Sequence, residues 1–309
     1  MAEARDGAPA LRALPIVAAR RPRRRRRWAR LGRVTLVYAL LIAGALLMTG
    51  PFLWMMFTSL KTRAEVFGTA PLSLPSGAHW ENYGRMWDAL PFATFFFNSI
   101  KLALLNTAGQ LVSSSMAAFA FATLQFRFKG PLFGILLATL IIPFQVVLVP
   151  NFVLYRILPH PLSTSGNWIN THEPLWVGAW LGGAFGTFLL RQFFLTIPKE
   201  LADAARVDGA NPLRIFWHVY LPLARPALAT LAIFTFMWTW NDLINPLIYL
   251  RDTELQTVTV GLSLFKGQFV GKWPEMMAGA LVSLLPMIVL FVIAQKHFVR
   301  GITLSGLKG

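Results

Sequence analysis

The chain contains no cysteine, which excludes a disulfide framework and any thiolate metal site. Acidic residues are scarce too, 13 Asp and Glu against 29 Lys and Arg. Charged residues of both signs reach only 14% of 309 positions, where a soluble domain carries about a quarter. That shortage excludes an ordinary water-soluble domain. The five histidines (His79, His160, His172, His218 and His297) are scattered, and His172-Glu173 lacks the second histidine of a zinc motif. No Gly-x-x-x-x-Gly-Lys-Ser/Thr phosphate loop occurs, so ATP is not bound by that route. With neither an acid–base nor a metal constellation, the chain does not read as an enzyme, and no cofactor of its own is expected.

Hydrophobic residues, in contrast, make up 55% of the chain, and the mean hydropathy is +0.54. Crossing about 30 Å of hydrocarbon takes roughly 20 apolar residues. Six runs qualify, at about 34–60, 91–124, 131–158, 175–194, 223–250 and 276–298. The sequence therefore predicts an all-α membrane protein with six transmembrane helices in a domain over 34–300. It is flanked by an Arg-rich tail (1–33) and a short C-terminal tail (301–309). With the N-terminus inside, the segments expected in the cytoplasm hold 21 Lys and Arg, against 7 in the three outer loops. The positive-inside rule thus places both termini and the 195–222 loop in the cytoplasm.

The tail RRPRRRRR at 20–27 can bind nucleic acid or anionic lipid electrostatically. Its plainer reading, adopted here, is a disordered device that orients the first span, so no nucleic-acid partner is expected. Ala43-Gly44-Ala45 looks like a signal-peptide cleavage site, but the apolar run continues past it to Trp54 and Phe57, so the span reads as uncleaved. Pro143, Pro150 and Pro286 interrupt apolar runs and mark places facing protein or a water-filled cavity. Small residues from Ser113 to Ala118 favour close helix packing.

Polar residues inside spans are costly, which makes them candidates for a solute pathway. Asn241 and Asp242 stand in MWTWNDLINPL beside Trp238 and Trp240, a mixture of aromatic faces and polar groups suited to a sugar ring. A structural bond to a neighbouring helix is the rival reading for both. Asn98 and Lys101 lie near the outer end of the second span, and Lys101 reads equally as a chain snorkelling to the interface.

Between the fourth and fifth runs lies DAARVDGANPLRIFWHVYLP, residues 203–222. Leu201 to Val207 is built of helix formers, with Pro198 suited to a first turn. Asp208-Gly209 supplies a stop with a left-handed cap, and Asn211-Pro212 opens a second helix. The prediction is helix, tight turn, helix. This stretch resembles the signature loop of ABC importer permeases, which reads Glu-Ala-Ala, three residues, Gly, nine residues, Ile, one residue, Leu-Pro. Asp203, Ala204, Ala205, Gly209, Val219, Leu221 and Pro222 stand at the family spacing, with Asp for Glu and Val for Ile. Thr58 to Lys61, FLLRQFFLTIPKELADAA, FMWTWNDLINPLIYL, TVTVGLSLFKGQF and AQKHFVRGITLSGLKG extend the likeness over nearly everything after residue 34. They resemble the maltose-type carbohydrate importer permeases, in particular the MalG-like second subunit.

The resemblance implies a type I ABC importer permease fold (MetI-like). It also implies residence in a bacterial or archaeal cytoplasmic membrane. Implied partners are a second homologous permease forming a heterodimer, an ABC ATPase dimer that binds ATP and magnesium, and an extracytoplasmic sugar-binding protein. The loop 195–222, with Asp208 among its residues, would couple to the ATPase, while the chain forms half of the pore. Carbohydrate is the implied solute, with glycerol phosphate or a polyol as the alternative within the family. An ion-coupled secondary transporter would need more buried ionisable groups than Lys101 and Asp242.

Overall fold

The computed structural model describes residues 23–161, 166–267 and 272–305. The chain divides into two units, Met1–Leu53 and Trp54–Gly309. The first contains most of helix α1 (Arg23–Ser59), whose stretch Leu31–Ser59 is long and apolar enough to cross a membrane. The tail up to residue 22, including part of the arginine run, lies outside the described residues.

In the second unit every regular element among the described residues is helical. The connection after α1 carries α2 (Arg63–Gly68) and α3 (Glu81–Ala89). It is fastened by the Thr58–Lys61 segment. Lys61 is only 2% exposed, its ammonium donating to Ser73 Oγ at 2.9 Å and to the Ala70 carbonyl at 3.3 Å. Asn82 Nδ2 donates to the Ser59 and Lys61 carbonyls, and Thr62 with Glu65 forms a complete capping box. Hydrogen bonds from Ser76 first, then Thr62, pull the Glu65 carboxyl down to about 2.

The long helix α4 (Phe92–Thr123) is the axis on which the rest packs. Next come α5 (Lys129–Ala138) and α6 (Phe144–Ile157), joined by a 3-10 turn and bent by 101° where Pro143 begins the second helix. Then follow α7 (Glu173–Trp180) and α8 (Ala184–Phe194). The small residues of α4 act as expected. Ser113 Oγ donates to the Ala179 carbonyl at 2.7 Å, and Gly109 lies directly beneath the Trp180 indole, leaving no room for a Cβ.

The loop after α8 holds α9 (Lys199–Val207) and α10 (Pro212–Ile215), then a π-helical turn from Phe216 to Tyr220 and the short α11 (Leu221–Leu223). α12 (Arg225–Trp240), α13 (Ile244–Tyr249), α14 (Val258–Gly267) and α15 (Trp273–Ser305) complete the chain. Two apolar clusters hold this unit together. One joins Phe119 and Leu190 to Ile215, Phe216, Tyr220 and Leu231. The other joins Met86, Phe92 and Phe95 to Trp240, Val258 and Phe265.

Among the described residues, the helices long and apolar enough to span singly are Leu31–Ser59 and Trp273–Gln295, and counting each of three bent pairs as one span raises the number to five. Three expected runs are not continuous helices, the run 131–158 being broken at the bend between α5 and α6. Run 175–194 is split between Trp180 and Ala184, where Gly182 takes a φ of +99° and Gly183 sits against Gln110. Run 223–250 is split after Trp240 by a turn at 241–243.

Candidate functional site

Two regions bring together the residues singled out in the sequence. The first is the 195–222 loop. Pro198 occupies the N-cap position of α9 (φ −55°, ψ 131°), one step earlier than expected, where its missing N–H leaves no donor unpaired. α9 ends in a Schellman motif. Gly209 N–H donates to the Arg206 carbonyl at 3.0 Å, and Ala210 N–H reaches back to Ala205 at 2.9 Å. The motif needs a left-handed residue, and Gly209 supplies it with φ +80°. Asn211 then caps α10 through its Oδ1, which accepts from Arg214 N–H at 2.8 Å, with Pro212 in first place.

This hairpin is amphipathic in three dimensions. Ala202, Ile215, Phe216 and Tyr220 are buried in the first apolar cluster, and Ala205, Val219 and Leu221 pack against it. Asp203, Ala204, Asp208 and Pro222 are exposed, as are Leu201 at 46%, Val207 at 88% and Leu213 at 58%. Asp203 pairs with Arg206 at 2.6 Å on the exposed side. The signature positions therefore separate into two jobs. Asp203, Ala204, Asp208 and Gly209 form the presented tip, while Val219 and Leu221 anchor it. Pro222 follows the π-turn, in which Leu221 N–H donates five residues back to Phe216. A proline at 222 cannot donate and would crowd the carbonyl of His218, and the wider turn relieves that crowding. Beyond it the chain bends by 78° into α12.

The second region surrounds the proposed solute-pathway residues, and here the structure redistributes them. Asn241 is the C-cap of α12 and donates to the Met237 carbonyl of its own helix at 2.8 Å. Asp242 accepts from the backbone and side-chain amides of Asn245, opening α13. Trp240 is buried, stacks on Phe236 and donates to the Ser283 carbonyl at 3.1 Å. Asn98 Nδ2 donates to the carbonyls of Glu254 and Gln256. All four polar side chains have structural bonds inside this chain. Trp238 differs, being 59% exposed and stacked on Phe234.

Lys101 differs as well. Its ammonium lies 2.6 Å from His172 Nδ1, while His172 Nε2 lies 2.8 Å from the Leu255 carbonyl. A carbonyl only accepts, so Nε2 carries the proton and Nδ1 accepts from Lys101. Burial, reinforced by the Lys101 charge, lowers the His172 pKa and keeps the ring neutral. The ammonium of Lys101 is thus held by the protein at one of its donors. His172 has no metal-ligand spacing in the sequence, so spacing gives it no role. A lone lysine within an apolar run was the signal that a partner existed elsewhere. Likewise unforeseen is the ion pair of Arg63 with the buried Glu275 at 2.8 Å, which ties α2 to the start of α15.

Residues 110–304 match the family model of the binding-protein-dependent transport system inner membrane component. The chain is 33% identical over 269 residues to the sulfoquinovosyl glycerol transport system permease protein SmoH of Agrobacterium fabrum, covering 86% of this chain and 92% of that one. It is 32% identical over 274 residues to the sn-glycerol-3-phosphate transport system permease protein UgpE of Pectobacterium atrosepticum, covering 86% and 94%. Its fold is similar to a chain of a bacterial ABC transporter involved in the import of the acidic polysaccharide alginate, with a TM-score of 0.73 and 25% identity over 90% of this chain and 99% of that one. A second alginate transporter structure, in complex with a pentasaccharide-bound periplasmic protein, has a TM-score of 0.62 at 16% identity and supports the fold alone. The match covers more than half of the chain and takes in both the capped loop and the broken helices, so the protein belongs to the family of binding-protein-dependent transport system inner membrane components and is a membrane permease, not an enzyme.

Proposed function

We propose that this chain forms half of the translocation pore of an ATP-driven importer for a carbohydrate or a related polyhydroxylated solute. The relatives are named for sulfoquinovosyl glycerol and glycerol 3-phosphate, and the structural neighbour for alginate. Its partners in this reading are a second permease, an ATPase dimer that binds ATP and magnesium, and a soluble solute-binding protein. Six spans set in a bacterial or archaeal cytoplasmic membrane, with both termini and loop 195–222 inside, accord with the 21-to-7 distribution of basic residues.

The observation that carries the reading is the doubly capped hairpin at 199–215. Its apolar side is anchored in the core, and its tip presents Asp203, Val207 and Asp208 to whatever docks there. A rigid, anchored projection transmits displacement, as a coupling element must, provided its contacts differ between the two states of the ATPase. The Asp203–Arg206 pair is exposed and adds little stability, so charge reversal at Asp203 tests contact without unfolding the helix. In the reconstituted importer, Asp203→Lys is expected to leave the complex assembled but to abolish stimulation of ATP hydrolysis by loaded binding protein. Stimulation at the wild-type level would remove the loop from the mechanism.

A further inference from the structure

From Phe97 onward the exposed side of α4 is a single stripe comprising Phe97, Lys101, Leu104, Ala108, Val112 and Met116, spaced three or four residues apart. Lys101 is the sole charged residue of this 32-residue helix. An ammonium turned to hydrocarbon is costly, so this level of the stripe faces water or a polar surface. The lysine is also held in place. A buried, neutral His172, itself fixed by the Leu255 carbonyl, takes one N–H of the ammonium and leaves two N–H directions unclaimed. None of the ion pairs among the described residues supplies Lys101 with a carboxylate.

A fixed cation with spare donors and a neutral support fits an anion that arrives and leaves. A resident carboxylate would have neutralised it, and a free lysine would have been less well ordered. We propose that Lys101, positioned by His172, contacts the anionic group of the carried solute, so that the cargo is an acidic sugar or glycerol derivative bearing a phosphate, sulfonate or carboxylate. This rests on the importer reading above and narrows it. The names of the relatives, with sulfoquinovosyl glycerol, glycerol 3-phosphate and an acidic polysaccharide, agree with that chemistry.

The test uses the complete importer, with its partner permease, ATPase and binding protein, in proteoliposomes. The probes are sn-glycerol 3-phosphate, sulfoquinovosyl glycerol and alginate oligosaccharides, set against glycerol, galactosyl glycerol and maltose. At least one acidic probe is expected to stimulate hydrolysis and to be taken up. For that probe Lys101→Met should raise KM about tenfold or more with the complex intact, and Lys101→Arg should restore most of the loss. His172→Gln should raise KM to a lesser degree, since the charge remains but its support weakens.

Stimulation by neutral probes alone would overturn the acidic cargo while leaving the importer reading intact. An unchanged KM in Lys101→Met, or an equal rise for acidic and neutral probes, would overturn the contact. Failure of Lys101→Met to assemble, seen by size-exclusion chromatography, would make the lysine a subunit contact instead. No response to any probe, acidic or neutral, would overturn the importer reading and this inference together.

Discussion

At the scale of single residues, two positions concentrate the physics. Gly209 has open space around its Cα, so a side chain there meets no neighbour, and its cost is the left-handed backbone alone, about 1–2 kcal/mol. Gly209→Val should therefore insert and assemble but lose coupling, whereas Gly209→Asn should lie close to wild type, because Asn tolerates that conformation. ATPase activity with and without loaded binding protein separates the two, and equal stimulation in both would count against strain as the cause. His172 behaves in the opposite sense, through its proton. It faces Lys101 from α4, Glu173 from its own helix and the Leu255 carbonyl, and burial holds its pKa below 6.5. A depressed value means that the native form resists a proton which the unfolded chain accepts. The contribution to stability is whole above 6.5 and declines as pH falls through the folded value. Uptake should weaken in the same window, as an imidazolium repels the ammonium it supported. A pH profile of uptake in wild type and in His172→Gln, in which the acid limb should flatten, is the measurement.

At the scale of elements, what was legible in the sequence followed from local chemistry. The hairpin caps were readable because Asp-Gly and Asn-Pro act on their immediate neighbours, and the structure places Gly209, Asn211 and Pro212 as read. The break after Trp240 was not readable, since the sequence around Trp240-Asn241-Asp242 stays apolar on both sides of it. What breaks the helix is Asp242 taking the amides of Asn245, and Trp240 being held by Ser283 from a helix 43 residues away. The Lys101–His172 contact, 71 residues apart in the chain, was hidden for the same reason. Asp242→Ala removes the acceptor for two amides and should cost about 1 kcal/mol, seen as a lower melting temperature of the purified complex. Should the melting temperature hold while uptake fails, the residue acts on the solute directly. Packing between elements is tighter still at Gly109. Gly109→Ala forces its Cβ into the Trp180 indole and should destabilise by about 1–3 kcal/mol. Pairing it with Trp180→Ala should recover part of that loss, which a double-mutant cycle would register.

At the scale of the whole molecule, the proposed orientation, with both termini inside, predicts that a reporter fused after Lys308 is active only as a cytoplasmic enzyme. Activity confined to the opposite side would reverse the arrangement of the pore and loop. The π-turn at 216–220 bears on this arrangement in another way. An α-helix advances 3.6 residues per turn, so each residue rotates what precedes it by about 100° about the axis. The wide turn holds one residue more than a regular helix would, and it lies between the hairpin tip and α12. It is a setting of phase. Deleting Val219 would remove the extra residue, bring back the crowding at Pro222 and turn the hairpin by about 100°, moving Asp203 and Val207 from one quadrant to the next. The loop would keep every cap and every exposed side chain, yet point them the wrong way. Genetic drift in this protein can thus alter single contacts one at a time, whereas a length change of one codon here resets them all at once.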